Sequence, residues 1–171
     1  KKNECSFSVV RYGNVVNSRG SVIPKFNLLK RQKANFFPIT DIKMTRFVIS
    51  IEDAVKFVIN SLKIMNGFEI FVPKCETMKI IDLAKAVDSK KAIKIIGIRP
   101  GEKLHEYLLS KEETASIFEH KDFYILRDLQ SNLSKSKNFL KLKKIKSFDY
   151  SSYNNNNHLS ISDIKKILPN D

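Results

Sequence analysis

Strand and helix patterns alternate along the first hundred residues of the chain. Apolar, β-branched and aromatic residues over 6–12 predict a strand, which a loop over 13–20 separates from a helical apolar pattern over 22–33. Pro24 suits that helix because it falls in the first turn, where the amide donors are unpaired anyway. Ser21 is placed to cap it. The first predicted unit is therefore strand, loop and helix.

The alternation continues downstream. Further strands are predicted at 37–40, 46–49, 69–72 and 93–98. Ser50 with Asp53 predicts the start of a helix. The predicted inner face of that helix is Ala54, Val55, Val58, Ile59 and Leu62. After Gly67, which suits a left-handed turn, Thr77 is expected to cap a helix that buries Ile81, Ala84 and Val87.

This order predicts an α/β protein with an incomplete parallel sheet, whose first strand is an unpaired edge. After Asp128 the composition changes to Ser, Asn and Lys, with four consecutive asparagines from Asn154 to Asn157. A short amphipathic helix over 161–168 follows, with Ser160 or Ser162 as its cap. We expect this tail to pack as a loop-rich arm.

Charge and cysteine content narrow the classes of function. Thirty-one Lys and Arg against eighteen Asp and Glu give a formal net charge of +13, which raises the possibility of nucleic-acid binding. The lysines are scattered, however, and the one dense run lacks interleaved aromatic residues. That run is Lys135, Lys137, Lys141, Lys143, Lys144 and Lys146. A solvated surface is the favoured interpretation, with an anionic small molecule such as a diphosphate as the second.

The compartment follows from what the sequence does not contain. No apolar run approaches the ~20 residues of a membrane span, and nothing resembles a signal peptide. Cys5 and Cys75 form no spaced framework, so each is interpreted as a small buried apolar residue. The cytoplasm is the predicted location.

Two loops could carry binding chemistry. The loop over 11–21 follows a strand and feeds a helix, where open α/β sheets bind ligands and a helix N-terminus attracts phosphate, and Arg19 could add a forked contact. The turn over 97–103 projects Arg99 and Glu102 together, which suits a diphosphate and sugar hydroxyls. An ordinary surface turn and a local ion pair are equally compatible with these patterns. Arg46 is a third possible phosphate ligand.

Three other sequence patterns give weaker evidence for a functional site. Tyr107 and Lys111 have the Tyr-x-x-x-Lys spacing of dehydrogenases but follow a Pro-Gly turn, so a catalytic role is disfavoured. His105-Glu106 lacks a second histidine four residues after the first, and we interpret it as a polar surface pair. The five glycines make no G-x-G-x-x-G fingerprint, so the chain cannot hold a whole dinucleotide alone.

Several blocks in order resemble a known family. They are R-Y-G-N-V-V-N-S-R-G-S-V-I-P, I-T-D-I-K-M-T-R-F, I-F-V-P-K, I-I-G-I-R-P-G-E-K-L-H-E and the late Tyr150-Ser151-Ser152. Together they resemble the inverting UDP-N-acetylglucosamine 4,6-dehydratases of pseudaminic acid biosynthesis, which have the extended short-chain dehydrogenase/reductase (Rossmann-like) fold. The resemblance runs from about Phe7 to Leu168 and covers only the second half of that family.

The resemblance implies a bound NADP that takes hydride from the sugar C4, loss of water across C5 and C6, and inversion at C5. By motif position, the cofactor-binding residues would be Val15, Val16, Asn17, Ser18 and Arg19. The substrate-binding residues would be Asn14, Val22, Thr40, Arg46, Arg99 and Glu102. Asn17 stands where the family usually has glycine, although asparagine tolerates a left-handed backbone better than most residues.

The resemblance also implies domain boundaries within the chain and a lack of catalytic residues in it. Residues 1–35 would end the dinucleotide-binding domain, 36–128 would bind the nucleotide sugar, and 129–171 would form the arm. The catalytic residues belong to the missing half, so none is assigned here and the chain alone is expected to be inactive. The full-length protein is expected to be a homo-oligomer that acts on a UDP-sugar, without a metal and without nucleic acid. A sibling UDP-sugar 4-epimerase or retaining dehydratase, and a basic nucleic-acid-binding module, are the alternatives.

Overall fold

The computed structural model describes residues 5–113, 115–127 and 142–169. The chain divides into two compact units, each assembled from three stretches of sequence. The first comprises Lys1–Tyr12, Glu52–Lys74 and Leu108–Tyr150, and the second comprises Gly13–Ile51, Cys75–Tyr107 and Ser151–Asp171. Residues 128–141, which include Lys135, Lys137 and Lys141 of the lysine run, lie outside the described residues.

Short strands and four helices make up the described chain. The strands are β1 (Val9–Val10), β2 (Asn14–Val15), β3 (Phe36–Ile39), β4 (Thr45–Ile49), β5 (Ile70–Pro73), β6 (Glu76–Lys79), β7 (Ala92–Ile95), β8 (Tyr107–Leu109), β9 (Ser116–Glu119), β10 (Phe123–Arg127), β11 (Lys143–Ile145) and β12 (Tyr150–Ser151). The helices are α1 (Val22–Arg31), α2 (Ile51–Ile64), α3 (Ile80–Val87) and α4 (Ile161–Ile167). None of these helices is long and apolar enough to cross a membrane.

The first unit is built on a five-stranded sheet in the order β1-β5-β10-β9-β11. β1 runs parallel to β5, and the other three pairings are antiparallel. Phe71 and Val72 of β5 are fully buried, as expected for a strand with neighbours on both edges. β1 is the end strand, so the predicted unpaired first strand is confirmed among the described residues.

A buried carboxylate holds the turn that leads into β5. The side chain of Glu69 is fully buried, and its Oε2 accepts hydrogen bonds from Ser8 Oγ at 2.7 Å and from the Gly67 amide at 2.9 Å. Gly67 has a φ of 112°, a region that favours glycine, as the sequence predicted. A buried charge needs such donors because its desolvation would otherwise cost several kcal/mol, on the order of the net stability of a domain.

The predicted inner face of α2 is wrong for four of its five residues. Ala54 is buried, but Val55, Val58, Ile59 and Leu62 are between 43% and 68% exposed. The face that packs inward carries Ala54, Phe57 and Ser61 instead, and the Phe57 ring meets the edge of Phe123 at 5.9 Å. The helix has two apolar faces, and periodicity alone cannot say which one the rest of the chain covers.

The core of the second unit lies where α1, α3 and α4 pack around short parallel and antiparallel strands. β2 pairs with β4 and β3 with β7 in parallel, whereas β6 is antiparallel to β4. Phe26 stacks on Phe37 with ring centroids 4.8 Å apart, and Leu83 and Ile164 are fully buried in the same cluster. The predicted α/β class is confirmed, while the antiparallel strands were not predicted.

Among α1, α3 and α4, the cap differs from prediction in two helices. Ser160 caps α4 as expected, since its Oγ accepts from the Asp163 amide. Ser21 occupies the N-cap position of α1 but makes no side-chain cap bond. Thr77 is wrong as the cap of α3, because it belongs to β6, and its hydroxyl lies 2.8 Å from Nδ1 of His158. The N-cap of α3 is Lys79, and backbone pairing to β4 decided the conformation there.

The two cysteines also differ from each other. Cys75 is buried as predicted, and burial raises the pKa of its thiol to about 11. Cys5 is exposed, so its interpretation as a buried apolar residue is wrong. It lies before the first strand, where fewer neighbours are available to cover it.

Candidate functional site

A cavity of about 290 Å³ opens within the second unit. Its wall combines β2, the first turns of α1, the end of β3, β4, β6 and the turn after β7. The lining residues are Asn14, Val15, Val16, Gly20, Ser21, Val22, Ile23, Lys25, Phe26, Pro38, Ile39, Thr40, Met44, Arg46, Val48, Met78, Ile80, Ile96, Arg99 and Glu102. An apolar floor with a few convergent polar groups is the usual composition of a small-molecule site.

The loop that carries Asn14 is held against β4. Asn14 and Val15 pair in parallel with Val48 and Ile49. Just before them, Gly13 lies so close to Phe47 that an added Cβ would sit 2.8 Å from the Phe47 carbonyl carbon. Only glycine permits this approach, which brings Asn14 to the cavity wall.

The turn after β2 takes a left-handed conformation. Asn17 has a φ of 59° and Gly20 has a φ of 80°. The Ser18 amide donates to the Val15 carbonyl at 3.1 Å and the Ser21 amide to the Ser18 carbonyl at 3.0 Å, so the backbone reverses and delivers Ser21 to the start of α1. The turn therefore survives with asparagine at position 17.

Ser21 contributes a polar atom without a hydrogen-bond partner. Its Oγ is buried on the cavity wall, and no donor or acceptor of the described residues reaches it. A buried hydroxyl left unpaired costs about 1–3 kcal/mol. A ligand that enters the cavity and pairs with this hydroxyl would recover that cost.

Glu106 connects two of the cavity residues. Its carboxylate accepts both from the Asn14 side-chain amide, at 2.9 and 3.0 Å, and from the Phe47 backbone amide at 3.2 Å. Arg46 Nε lies 3.5 Å from the same carboxylate, with side chains only 15% and 30% exposed for Arg46 and Glu106. Glu106 thus holds an amide and a guanidinium in place at the wall.

A hydrogen-bonded network supports Glu106 from behind. The Glu106 amide donates to Ser152 Oγ at 2.9 Å, and that hydroxyl lies 2.7 Å from Thr45 Oγ1. Nδ1 of His105 lies 2.8 Å from Thr45 Oγ1, and burial, followed by the charge of Arg46, lowers the pKa of that imidazole. His105 and Glu106 are thus half-buried members of a hydrogen-bonded network, and not the solvated surface pair that was predicted.

The second predicted turn forms an ion pair that also faces the cavity. Arg99 Nη2 lies 3.2 Å from Glu102 Oε1, and Thr40 Oγ1 donates to the same oxygen at 3.0 Å. The hydrogen bond from Arg99, together with that from Thr40, lowers the pKa of Glu102 to about 2, so it is a carboxylate at neutral pH. Arg99 is 63% exposed at its side chain, which leaves guanidinium donors available to a ligand.

The structure brings together most of the site residues predicted from sequence. Those on the cavity wall are Asn14, Val15, Val16, Val22, Thr40, Arg46, Arg99 and Glu102. The turn residues Asn17, Ser18 and Arg19 are not among the lining residues. Asn14 and Arg99 lie 85 positions apart in the sequence, yet both line one cavity. Had they lain on opposite faces, they could not have formed a common binding site.

Sequence reasoning missed Ser21 as a lining residue, and it missed Glu106 and Ser152 as supports. Glu106 ends the resembling block I-I-G-I-R-P-G-E-K-L-H-E, so that block was the available signal. Tyr107 is 54% exposed, and Lys111 Nζ lies 3.9 Å from Asp149. Both observations agree with the prediction that this pair is not catalytic.

Comparison with known proteins places the chain in a family. A family model described as polysaccharide biosynthesis protein matches residues 1–128. The chain belongs to this family. Among its relatives, a UDP-N-acetylglucosamine 4,6-dehydratase (inverting) from Campylobacter jejuni strain 81-176 is 45% identical, with 95% of the chain and 51% of the relative covered. A UDP-glucose 4-epimerase from Rickettsia conorii is 38% identical, with 96% and 50% covered.

A solved structure shares the fold of the chain. Pen from Bacillus thuringiensis superposes with a TM-score of 0.79 at 30% identity, over 95% of the chain and 49% of Pen. The chain therefore spans about half the length of the relatives it matches.

Proposed function

We propose that the chain is the nucleotide-sugar-binding, C-terminal portion of an inverting UDP-N-acetylglucosamine 4,6-dehydratase. The observation that supports this most is that Asn14 lines the same cavity as Arg99 and Glu102, although the two loops that carry them are distant in sequence. The identity to the Campylobacter dehydratase exceeds that to the Rickettsia epimerase, 45% against 38% over similar lengths. This difference favours the dehydratase over the epimerase.

The substrate contacts follow from charge. Arg99 and Arg46 supply guanidinium donors for the diphosphate, and a forked, charge-assisted contact suits its oxygens. Glu102, ionised at neutral pH, accepts from ribose or sugar hydroxyls. Asn14, Val22 and Thr40 complete the set of substrate-binding residues.

The cofactor assigned to the loop after β2 is NADP. The residues proposed to hold it are Val15, Val16, Asn17, Ser18 and Arg19. Val15, Val16 and the unpaired hydroxyl of Ser21 lie on the cavity wall, where that hydroxyl fits a polar ligand. When bound, the nicotinamide supplies hydride exchange with the sugar, and the residues of this chain contribute binding and orientation.

The remaining expectations stay predictions. They are a UDP 4-keto-6-deoxy-hexosamine product for pseudaminic acid or surface polysaccharide, a cytoplasmic location, a homo-oligomeric full-length enzyme, no nucleic-acid binding, and domain limits at 1–35, 36–128 and 129–171. The chain alone is expected to show no turnover of UDP-N-acetylglucosamine, because the residues that would act at C5 and C6 are assigned to the other half. Detection of a 4-keto sugar with the purified chain would contradict that expectation.

Binding of UDP and of uridine to the chain tests the site directly. Titration calorimetry is expected to give tighter binding of UDP, and Arg99→Gln should remove most of the difference by deleting a diphosphate contact. Lys103→Gln is the matched control, since Lys103 lies in the same turn, is exposed and is not a lining residue. Equal affinity for UDP and uridine in the unmodified chain would refute the diphosphate assignment.

The epimerase is the second candidate, because the Rickettsia relative covers the same length of the chain. The discriminating measurement is the product that a full-length enzyme carrying this half makes from the UDP-sugar. A 6-deoxy-4-keto product with inverted C5, seen by NMR, supports the dehydratase. A C4 epimer that keeps its C6 hydroxyl supports the epimerase.

A further inference from the structure

The side-chain amide of Asn14 is fixed in one orientation. Its nitrogen, Nδ2, donates to the Phe47 carbonyl at 3.0 Å and to the two carboxylate oxygens of Glu106 at 2.9 and 3.0 Å. Carbonyl and carboxylate oxygens only accept hydrogen bonds, so the reversed amide, with Oδ1 in the place of Nδ2, would set lone pairs against lone pairs. Both hydrogens of Nδ2 are therefore used within the protein.

Glu106 is itself held in the position that this orientation requires. Its Oε2 accepts from the Phe47 backbone amide at 3.2 Å, and its own backbone amide donates to Ser152 Oγ at 2.9 Å. Neither Glu106 nor Phe47 is a lining residue of the cavity, whereas Asn14 is. The nitrogen of the Asn14 amide is thus turned to groups behind the cavity wall.

The oxygen Oδ1 is the polar atom of the Asn14 side chain that remains for a ligand. The described residues donate no hydrogen bond to it, and Asn14 is exposed on the cavity wall. An amide oxygen accepts and cannot donate. It therefore pairs with a hydroxyl or an amide N–H of a ligand, and it is repelled by a phosphate oxygen.

Arg46 supplies the opposite chemistry at the same wall. Its Nη1 donates to the Thr45 and Leu104 carbonyls at 2.7 and 3.1 Å, and its Nε lies 3.5 Å from Glu106 Oε1. Nη2 is the guanidinium nitrogen to which the described residues offer no acceptor. The wall thus presents an acceptor at Asn14 and a charged donor at Arg46, and Glu106 contacts both side chains.

We propose that Glu106 determines specificity at this site by fixing Asn14 as an acceptor, so that Asn14 recognises a hydroxyl or amide N–H of the sugar while Arg46 takes the diphosphate. The inference rests on the proposed function, because it assumes a UDP-sugar in the cavity. Glu106 acts through Asn14 and Arg46, which makes it a positioning residue without a ligand contact of its own.

Titration calorimetry of the chain with UDP and with UDP-N-acetylglucosamine tests this role. Glu106→Gln puts an amide in the place of one carboxylate oxygen, so the Asn14 amide can turn over and present its NH2 group to the cavity. UDP-N-acetylglucosamine should then bind about threefold to tenfold more weakly, as expected for the loss of one neutral hydrogen bond, while binding of UDP does not weaken.

A second variant and a control separate this role from a general loss of structure. Asn14→Ala should show the same selective loss, and the double variant should lose no more than either single variant, because both changes remove one contact. Glu112→Gln also removes one negative charge, from an exposed residue, and should leave both affinities unchanged. Circular dichroism at the temperature of the titration checks that each variant is folded.

The outcomes distinguish this inference from the proposed function. Equal weakening of both ligands by Glu106→Gln would overturn the inference and leave the site intact, since a purely structural loss affects both alike. Additive losses in the double variant would overturn it as well. A chain that binds neither ligand would refute the nucleotide-sugar site itself, and the inference with it.

Discussion

Replacing Glu106 with glutamine should destabilise the second unit without changing its shape. The carboxylate holds the Asn14 amide, the Phe47 backbone amide and Arg46 at once, at distances from 2.9 to 3.5 Å. Glutamine keeps the size and one acceptor oxygen but removes the charge and turns the other oxygen into a donor. That donor faces the Asn14 amide and Arg46, which are donors themselves.

The magnitude follows from the number and exposure of these contacts. A hydrogen bond to a charged group contributes about 1.5–3 kcal/mol, and an ion pair near the surface contributes about 0.2–1 kcal/mol. Glu106 is 30% exposed, which places its contacts toward the lower end of these ranges. We therefore expect Glu106→Gln to lower the free energy of unfolding by about 1–2 kcal/mol, and Glu106→Ala by about 2–3 kcal/mol.

Urea unfolding followed by circular dichroism measures the effect. With a slope of about 2 kcal/mol per molar urea, the middle of the usual range, the midpoint should fall by about 0.5–1 M for the glutamine variant, with the slope unchanged. Glu112→Gln, on an exposed loop residue, is the control for loss of one negative charge. A midpoint for Glu106→Gln that matches the control would refute the role of Glu106 as a structural anchor of the cavity wall.

Three further predictions concern single positions. Gly13→Ala should lower the unfolding midpoint and disturb the cavity, because the new methyl group would collide with the Phe47 backbone; an unchanged midpoint would show that this approach relaxes freely. Ser160→Ala should cost about 1 kcal/mol in urea unfolding by removing the side-chain cap bond at the start of α4. Iodoacetamide at pH 8 should modify Cys5 readily and Cys75 much more slowly, since burial raises the pKa of the Cys75 thiol to about 11; mass spectrometry of the labelled chain checks the order, and equal rates would contradict the buried environment.

Single residues predicted the start or end of an element correctly where the residue type favours only one local conformation. Ser160 before the last amphipathic segment, Pro24 in the first turn of α1 and Gly67 after α2 all have the roles expected of them. Thr77 failed because capping and strand residues overlap in type, and pairing with β4 overrode the cap. The inner face of α2 failed because both of its faces are apolar.

The sequence by itself determined the α/β class, the two loops that carry polar groups, and the resemblance that family comparison bears out. Such features depend on neighbours within a few residues or on motifs read in order. Only the tertiary structure decided that Asn14 and Arg99 share a cavity, that Glu106 anchors its wall, and that the apolar face of α2 with Val58 and Leu62 stays exposed. Each of these depends on contacts between segments tens of residues apart, and local preferences do not encode the distance between such segments.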